Sequence, residues 1–174
     1  EVVDLGVLPT PGVAHLAAAD RVAAAMISAS HNPFRDNGIK LFAAGGRKLT
    51  DEVEATLEAE LAALGGQGDP RPRPVGAGVG SLQRDHEAVD RYRDHLVHRV
   101  LDGRRLDGLR VVVDTANGAV SGMAPEVLTA LGAEVTAIHD DPDGININEG
   151  CGSTHPADLQ AEVVAVGAHL GLAF

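Results

Sequence analysis

Short apolar runs alternate with amphipathic stretches along most of the chain. Apolar runs of strand length occur at 2–7, 22–27, 39–43, 109–114, 133–138 and 170–174. Helices are predicted near 13–20, 51–64, 82–101, 122–131 and 156–168, the second of them with its apolar residues on one face. Strand and helix alternate after residue 80, which is typical of parallel strands joined by helical crossovers. The pattern predicts an α/β fold with mixed and parallel sheets and flanking helices.

Residues 65–80 are rich in glycine and proline and follow neither period. Such a composition is typical of a linker. The sequence therefore predicts two structural units, one on each side of this stretch.

Composition narrows the class of protein. The 174 residues are 44% hydrophobic and 22% charged, which is typical of a globular chain. No apolar run approaches the roughly 18 residues of a membrane helix. The single cysteine, Cys151, cannot form an intramolecular disulfide, and a reducing cytoplasm is the expected setting. The 2% aromatic content and the net charge of −11 both argue against a nucleic-acid partner.

Charge is unevenly distributed along the chain. Residues 21–48 hold five basic side chains and one acidic one, a net +4, whereas residues 111–174 hold nine acidic side chains and no Lys or Arg. A locally basic loop in an acidic protein is suited to a small anion. The alternative, that these charges are ordinary solvated surface, stays open on charge alone.

The segment from Ile27 to Lys40 carries the strongest candidate chemistry. A strand leads into Ser-Ala-Ser-His-Asn-Pro, and Asp-Asn-Gly turns the chain back into a strand. Ser30 offers a hydroxyl that could act as nucleophile or phosphate carrier, and Lys40 could reach an anionic oxygen. A plain turn with a solubilising serine remains the alternative on spacing. A serine hydrolase is less favoured, because adjacent Ser30 and His31 make a bond from Oγ to Nε2 awkward.

Four collinear segments resemble the α-D-phosphohexomutase family. They are the Ser-Ala-Ser-His-Asn-Pro…Asp-Asn-Gly-Ile-Lys loop, DLGVLPTPGVA at 4–14, VVVDTANGA at 111–119 and GININEGCGSTHP at 144–156. The last segment resembles the branch that acts on glucosamine phosphates. The resemblance covers essentially the whole chain.

The resemblance implies a phosphoryl shuttle that interconverts glucosamine 6-phosphate and glucosamine 1-phosphate through a 1,6-bisphosphate. Ser30 would carry the phosphate, with His31 and Lys40 supporting the phosphate or the proton transfer. Mg²⁺ would bind the Ser30 phosphate, and a hexose 1,6-bisphosphate would act as activator. The resemblance also implies a small hexosamine phosphate as partner, an intramolecular phosphotransferase as enzyme class, and a role in amino-sugar and cell-wall precursor synthesis in bacteria.

The resemblance further implies a division of the chain. Residues 1–70 would be the C-terminal part of the family's first domain, 71–82 a linker, and 83–174 most of the second domain. An Asp-Gly-Asp-Ala-Asp metal loop would follow Phe174, and the later sugar and phosphate loops would lie beyond it. We therefore expect the 174-residue piece alone to be inactive.

Two alternatives to this activity stay open. One is a phosphomannomutase or phosphoglucomutase, because the loop that decides the sugar is not in the sequence. The other is a non-catalytic module that binds sugar phosphates. Ser30, His31 and Lys40 together favour an enzyme.

Overall fold

The computed structural model describes residues 1–64 and 73–174. Five α-helices and seven strands occur in this part of the chain. Their order is β1 (Val2–Asp4), α1 (Thr10–Asp20), β2 (Ala24–Ser28), β3 (Gly38–Phe42), α2 (Asp51–Leu64), β4 (Leu82–Arg84), α3 (Ala88–His95), β5 (Arg110–Asp114), α4 (Met123–Ala130), β6 (Glu134–Ile138), α5 (Ala157–Ala165) and β7 (Leu170–Ala173). The α/β architecture predicted from the sequence is confirmed.

The strands after residue 100 form one parallel sheet in the order β6–β5–β7. The central strand β5 contains the run Val111–Val113, which is fully buried. Side chains of α4 pack against Val111 and Val113, and α5 also packs on this strand. This burial explains why β5 reads as a continuous apolar run instead of an alternating one. The parallel arrangement brings the carboxyl ends of all three strands to one edge.

Strands β2 and β3 form an antiparallel hairpin in which Ser28 lies opposite Gly38. The register places Met26 opposite Lys40, so these two side chains share a face of the hairpin. The connecting loop, residues 29–37, contains the Ser-His-Asn-Pro segment. The Asn37 side-chain amide donates to the Phe34 carbonyl at 2.9 Å, which helps to close the predicted turn.

The segment before α3 differs from its prediction. The helix expected at 82–101 begins at Ala88, because Leu82–Arg84 form a parallel pair with Val2–Asp4. The helix then continues through a π-helical stretch, Leu96–Val100. Of the proposed linker and domain boundary, residues 65–72 lie outside the described part of the chain.

A shared core joins elements from both sides of that linker. Leu8 and Leu16 pack with Tyr92 of α3 and Val127 of α4. Arg91 bridges this region with charge-assisted bonds to Asp20, at the end of α1, and to Asp85. Among the described residues, no helix is long and apolar enough to cross a membrane.

Candidate phosphoryl-transfer site

Ser30 lies two residues after β2, at an exposed turn. The preceding Ala29 is buried, and its carbonyl accepts a hydrogen bond from the Asn32 N–H at 3.0 Å. Ser30 itself has a φ of 56°, in the left-handed region that few non-glycine residues adopt. Its N–H donates to the Ser28 hydroxyl at 3.0 Å. The turn therefore holds the Ser30 hydroxyl out from the end of a strand. Strained backbone conformations of this kind cluster at functional sites of proteins.

The other two predicted site residues lie on either side of Ser30. The Nδ1 atom of His31 is 3.5 Å from the Ser30 hydroxyl, so the imidazole reaches it through the nitrogen nearer the backbone. Lys40 is half-buried on β3, on the face that carries Met26. Among residues 1–64 and 73–174, no carboxylate forms an ion pair with Lys40.

Ser30 and Lys40 line a cleft of about 910 Å³. Its opposite wall is formed by the turn after β5, Thr115–Val120, and by Asn146–Asn148. Among the described residues, Lys40 is the one basic side chain in the lining, and no Asp or Glu lines it. A cleft with a cation and no carboxylate favours an anionic ligand even though the chain as a whole is acidic. His31 lies at the exposed edge and is not part of this lining.

Asn117 and Gly118 combine two roles at the end of β5. The Gly118 N–H donates to the Thr115 carbonyl at 2.9 Å, which closes a tight strand-to-helix turn. The same residues line the cleft. They lie at the carboxyl edge of the parallel sheet, where open α/β sheets bind ligands.

The buried carboxylate of Asp114 holds together the loops on the wall of the cleft opposite Ser30, which we call the far wall. Oδ1 accepts the Ala116 N–H and Oδ2 accepts the Gly152 N–H, each at 2.9 Å. One side chain, with no exposed surface, thus holds both the turn after β5 and the loop before α5. Sequence reasoning did not select Asp114, because its partners lie 2 and 38 residues away and only the fold brings them together.

A second missed residue connects this wall to the serine loop. The side-chain amide of Asn148 donates to the carbonyls of Ser30 and Asn32, at 2.9 and 2.8 Å. The sequence signal was the Asn-Ile-Asn stretch at 146–148, which pointed to a family branch but not to this contact.

Asp114, His139 and Cys151 form the one cluster in the described chain whose donor atoms could surround a metal, all within 4.8 Å of one another. The Nδ1 atom of His139 lies 3.2 Å from Asp114 Oδ1 without a hydrogen-bond alignment. Mg²⁺ prefers oxygen ligands, whereas this trio offers sulfur and nitrogen as well. Both carboxylate oxygens also already accept backbone N–H groups. The cluster therefore does not fit Mg²⁺.

Cys151 is a buried free thiol. Burial raises the pKa of the thiol, and the negative charges of Asp114, Asp158 and Glu149 raise it further. The thiolate is the reactive form, so this environment makes Cys151 a poor nucleophile.

Comparisons with known proteins point to one family. Residues 1–66 match the family model of phosphoglucomutase/phosphomannomutase, alpha/beta/alpha domain I. The solved structure of a phosphoglucomutase/phosphomannomutase family protein from Burkholderia thailandensis superposes with a TM-score of 0.74 at 28% identity, covering 100% of this chain and 38% of that one. Residues 1–66 therefore belong to the phosphoglucomutase/phosphomannomutase domain I family, and the chain as a whole is similar to phosphohexomutases.

Within that family, the sequence is similar to phosphoglucosamine mutases. It is 55% identical to the phosphoglucosamine mutase of Symbiobacterium thermophilum over 177 residues, and 54% identical to that of Rhodococcus jostii over 174 residues. Each match covers 99% of this chain and 38% of the relative. The chain thus spans less than half the length of the curated relatives it matches.

Proposed function

We propose that the chain forms the phosphoserine part of a phosphoglucosamine mutase, with Ser30 as the phosphate carrier. The observation that carries the proposal is the position of the Ser30 hydroxyl. It stands on a left-handed turn at a cleft whose described lining contains one lysine and no carboxylate. The identity of over 50% to phosphoglucosamine mutases supports glucosamine phosphates as the substrate class.

The proposed reaction moves one phosphoryl group in each direction. The free hydroxyl of glucosamine 6-phosphate attacks the Ser30 phosphate, the bond from phosphorus to Ser30 Oγ breaks, and the hydroxyl proton passes to a base. The 1,6-bisphosphate then turns in the cleft, and Ser30 Oγ, which took up a proton when it left the first phosphoryl group, loses that proton and attacks the 6-phosphoryl group. The bond from phosphorus to the sugar O6 breaks, and O6 takes up a proton. Glucosamine 1-phosphate leaves, and the phosphoserine is restored.

Lys40 and His31 would assist in different ways. The Lys40 ammonium, inside the cleft, would neutralise charge on the transferred group, which is the main requirement of phosphoryl transfer. The His31 imidazole, 3.5 Å from Ser30 Oγ, would hold or donate a proton at that oxygen.

Magnesium remains part of the proposal through Ser30 alone. A divalent ion on the phosphate would supply additional charge neutralisation. The described residues of the cleft provide no carboxylate ligand for it. A hexose 1,6-bisphosphate as activator and a cytoplasmic location are likewise proposed, the latter supported by the free buried thiol of Cys151.

The test is mutase turnover of the full-length gene product with glucosamine 6-phosphate, together with the intact mass of the peptide that contains Ser30. We expect one added phosphate on Ser30 and loss of turnover in Ser30→Ala. Ser81→Ala is the matched control, because Ser81 is exposed and lies outside the cleft lining. Unchanged turnover in Ser30→Ala would overturn the mechanism.

The same assay separates the two alternatives. Faster turnover of glucose or mannose phosphates than of glucosamine phosphate would favour a phosphoglucomutase or phosphomannomutase. An unmodified Ser30 with measurable sugar-phosphate binding and no turnover would favour a non-catalytic module.

A further inference from the structure

The Asn148 side chain joins two parts of the chain that are more than 100 residues apart. Its Nδ2 donates to the Ser30 carbonyl at 2.9 Å, across 118 positions, and to the Asn32 carbonyl at 2.8 Å, across 116. A primary amide has two hydrogens, so both bonds can form at once. Within the described residues, no other hydrogen bond connects the loop 29–37 to residues beyond 100.

Both acceptors, the Ser30 and Asn32 carbonyls, belong to the turn that carries the proposed nucleophile. The two carbonyls lie on either side of His31, so one amide fixes the peptide that follows Ser30 and the peptide that follows Asn32. The φ of 56° at Ser30 is unfavourable for a non-glycine residue by roughly 1 kcal/mol. Such a conformation persists where surrounding contacts determine it. The Asn148 amide is such a contact.

Asn148 is itself held in a fixed position. Its φ of 58° lies in the left-handed region that asparagine tolerates better than most residues. Its N–H donates to the Ala116 carbonyl at 3.0 Å, and the Ala116 N–H is in turn bound by Asp114. The residues before it form a hydrogen-bonded loop, in which Asp143 Oδ1 accepts the N–H groups of Ile145 and Asn146. These hydrogen bonds hold the backbone of Asn148, and so its side-chain amide, in a fixed position.

We propose that Asn148 is a positioning residue for the Ser30 nucleophile: its amide holds the turn in the geometry that directs the hydroxyl into the cleft. This inference rests on the proposed function. Phosphoryl transfer depends on alignment of the attacking and leaving oxygens. A loop that departs from that alignment by about 1 Å can lose about 100-fold in rate. Asn148 also lines the cleft, but both hydrogens of its amide are used by the backbone of the turn, so we expect the loss chiefly in kcat.

Two substitutions at this position keep the left-handed backbone accessible. Asn148→Gly removes both donors. Asn148→Asp keeps the size but places carboxylate oxygens against two carbonyl oxygens, which repel them. We expect kcat to fall by about 10-fold in the glycine variant and by up to about 100-fold in the aspartate variant, with KM changed less than about threefold. Glu149→Gln is the matched control, because Glu149 is exposed and outside the cleft lining.

The experiment uses the full-length gene product and adds hydrogen exchange of the peptide 29–37. We expect faster exchange in both Asn148 variants and not in Glu149→Gln. Wild-type kcat in Asn148→Asp, with Ser30→Ala inactive, would overturn the inference while leaving the proposed function intact. An inactive wild-type enzyme would instead count against the proposed function. In that case, unchanged exchange of 29–37 in Asn148→Asp would overturn the inference as well.

Discussion

Replacing Asp114 by asparagine tests the organisation of the far wall of the cleft. The carboxylate is completely buried and accepts the N–H groups of Ala116 and Gly152, each at 2.9 Å. Asparagine keeps one acceptor oxygen, but its NH₂ faces the second N–H, so one charge-assisted bond is lost. Such bonds contribute about 1.5–3 kcal/mol each. We therefore expect the local opening that frees Gly152 to become more favourable by that amount.

Cys151 provides the readout, because it is buried directly beside Gly152. In the native protein its thiol should react slowly, and its alkylation should report opening of this loop. An opening free energy lower by about 1.5–3 kcal/mol corresponds to alkylation roughly 10- to 150-fold faster, at about 1.4 kcal/mol per tenfold change. The measurement is the alkylation rate of the Cys151 peptide by mass spectrometry, in the full-length gene product.

The chain offers a matched control for Asp114→Asn. Asp158 is also close to His139, at 3.4 Å from Nε2, but its side chain is 68% exposed, against 0% for Asp114. Asp158→Asn also removes a charge that raises the pKa of the Cys151 thiol, so it controls for that direct effect on reactivity. It should raise the labelling rate far less than Asp114→Asn does, because exposed charges contribute little to stability. Equal rates in wild type and Asp114→Asn would refute the view that this carboxylate holds the loop.

Three further predictions address other parts of the chain. A Cβ at Gly12 would lie 2.7 Å from the Leu8 side chain and 2.9 Å from the Tyr92 ring. Gly12→Ala should therefore lower the free energy of unfolding by about 1–3 kcal/mol. Gly45→Ala should not, because a Cβ at Gly45 would meet no atom within 4 Å. Burial lowers the pKa of His15 below 6.5, and the neighbouring His95 lowers it further. As the pH drops below 6.5 the unfolded chain takes up this proton first, so the free energy of unfolding measured by chemical denaturation should fall. The fall should be smaller in His15→Gln. Lys40→Met should weaken inorganic phosphate binding, measured by calorimetry, about tenfold or more, whereas Lys48→Met should not, since Lys48 already pairs with Glu54 at 3.0 Å.

Local patterns accounted for most of the elements, and one long-range contact accounts for the main difference. The run 109–114 and the face of 51–64 are each explained by the periodicity of their own residues, and β5 and α2 form where predicted. Residues 82–84 stand at the start of the helix that the sequence predicts over 82–101. They instead pair with Val2–Asp4, some 80 positions earlier, and no local pattern reveals that partner.

The candidate site divides in the same way. Ser30 and Lys40 could be predicted as one site because they lie in a single strand–turn–strand segment. In the structure this segment is a hairpin, and both residues line the cleft. The roles of Asp114 and Asn148 could not be predicted from the sequence, because their hydrogen-bond partners become neighbours only in the folded structure. Their residue types were uninformative by themselves, since buried aspartates and loop asparagines also occur in ordinary turns.

The acidic character of the second half is compatible with an anion-binding cleft because its carboxylates near the cleft bind their own loops. Residues 111–174 carry nine acidic side chains and no Lys or Arg, and this stretch forms much of the cleft wall. Yet Asp114, Asp140 and Asp143 all accept backbone N–H groups, from Ala116 and Gly152, from Gly122, and from Ile145 and Asn146 respectively. Each carboxylate thereby stabilises the loop geometry, and none of the three belongs to the lining described for the cleft. Within the described lining of the cleft, the ammonium of Lys40 is consequently the one charged group available to the phosphate that the proposed function places on Ser30.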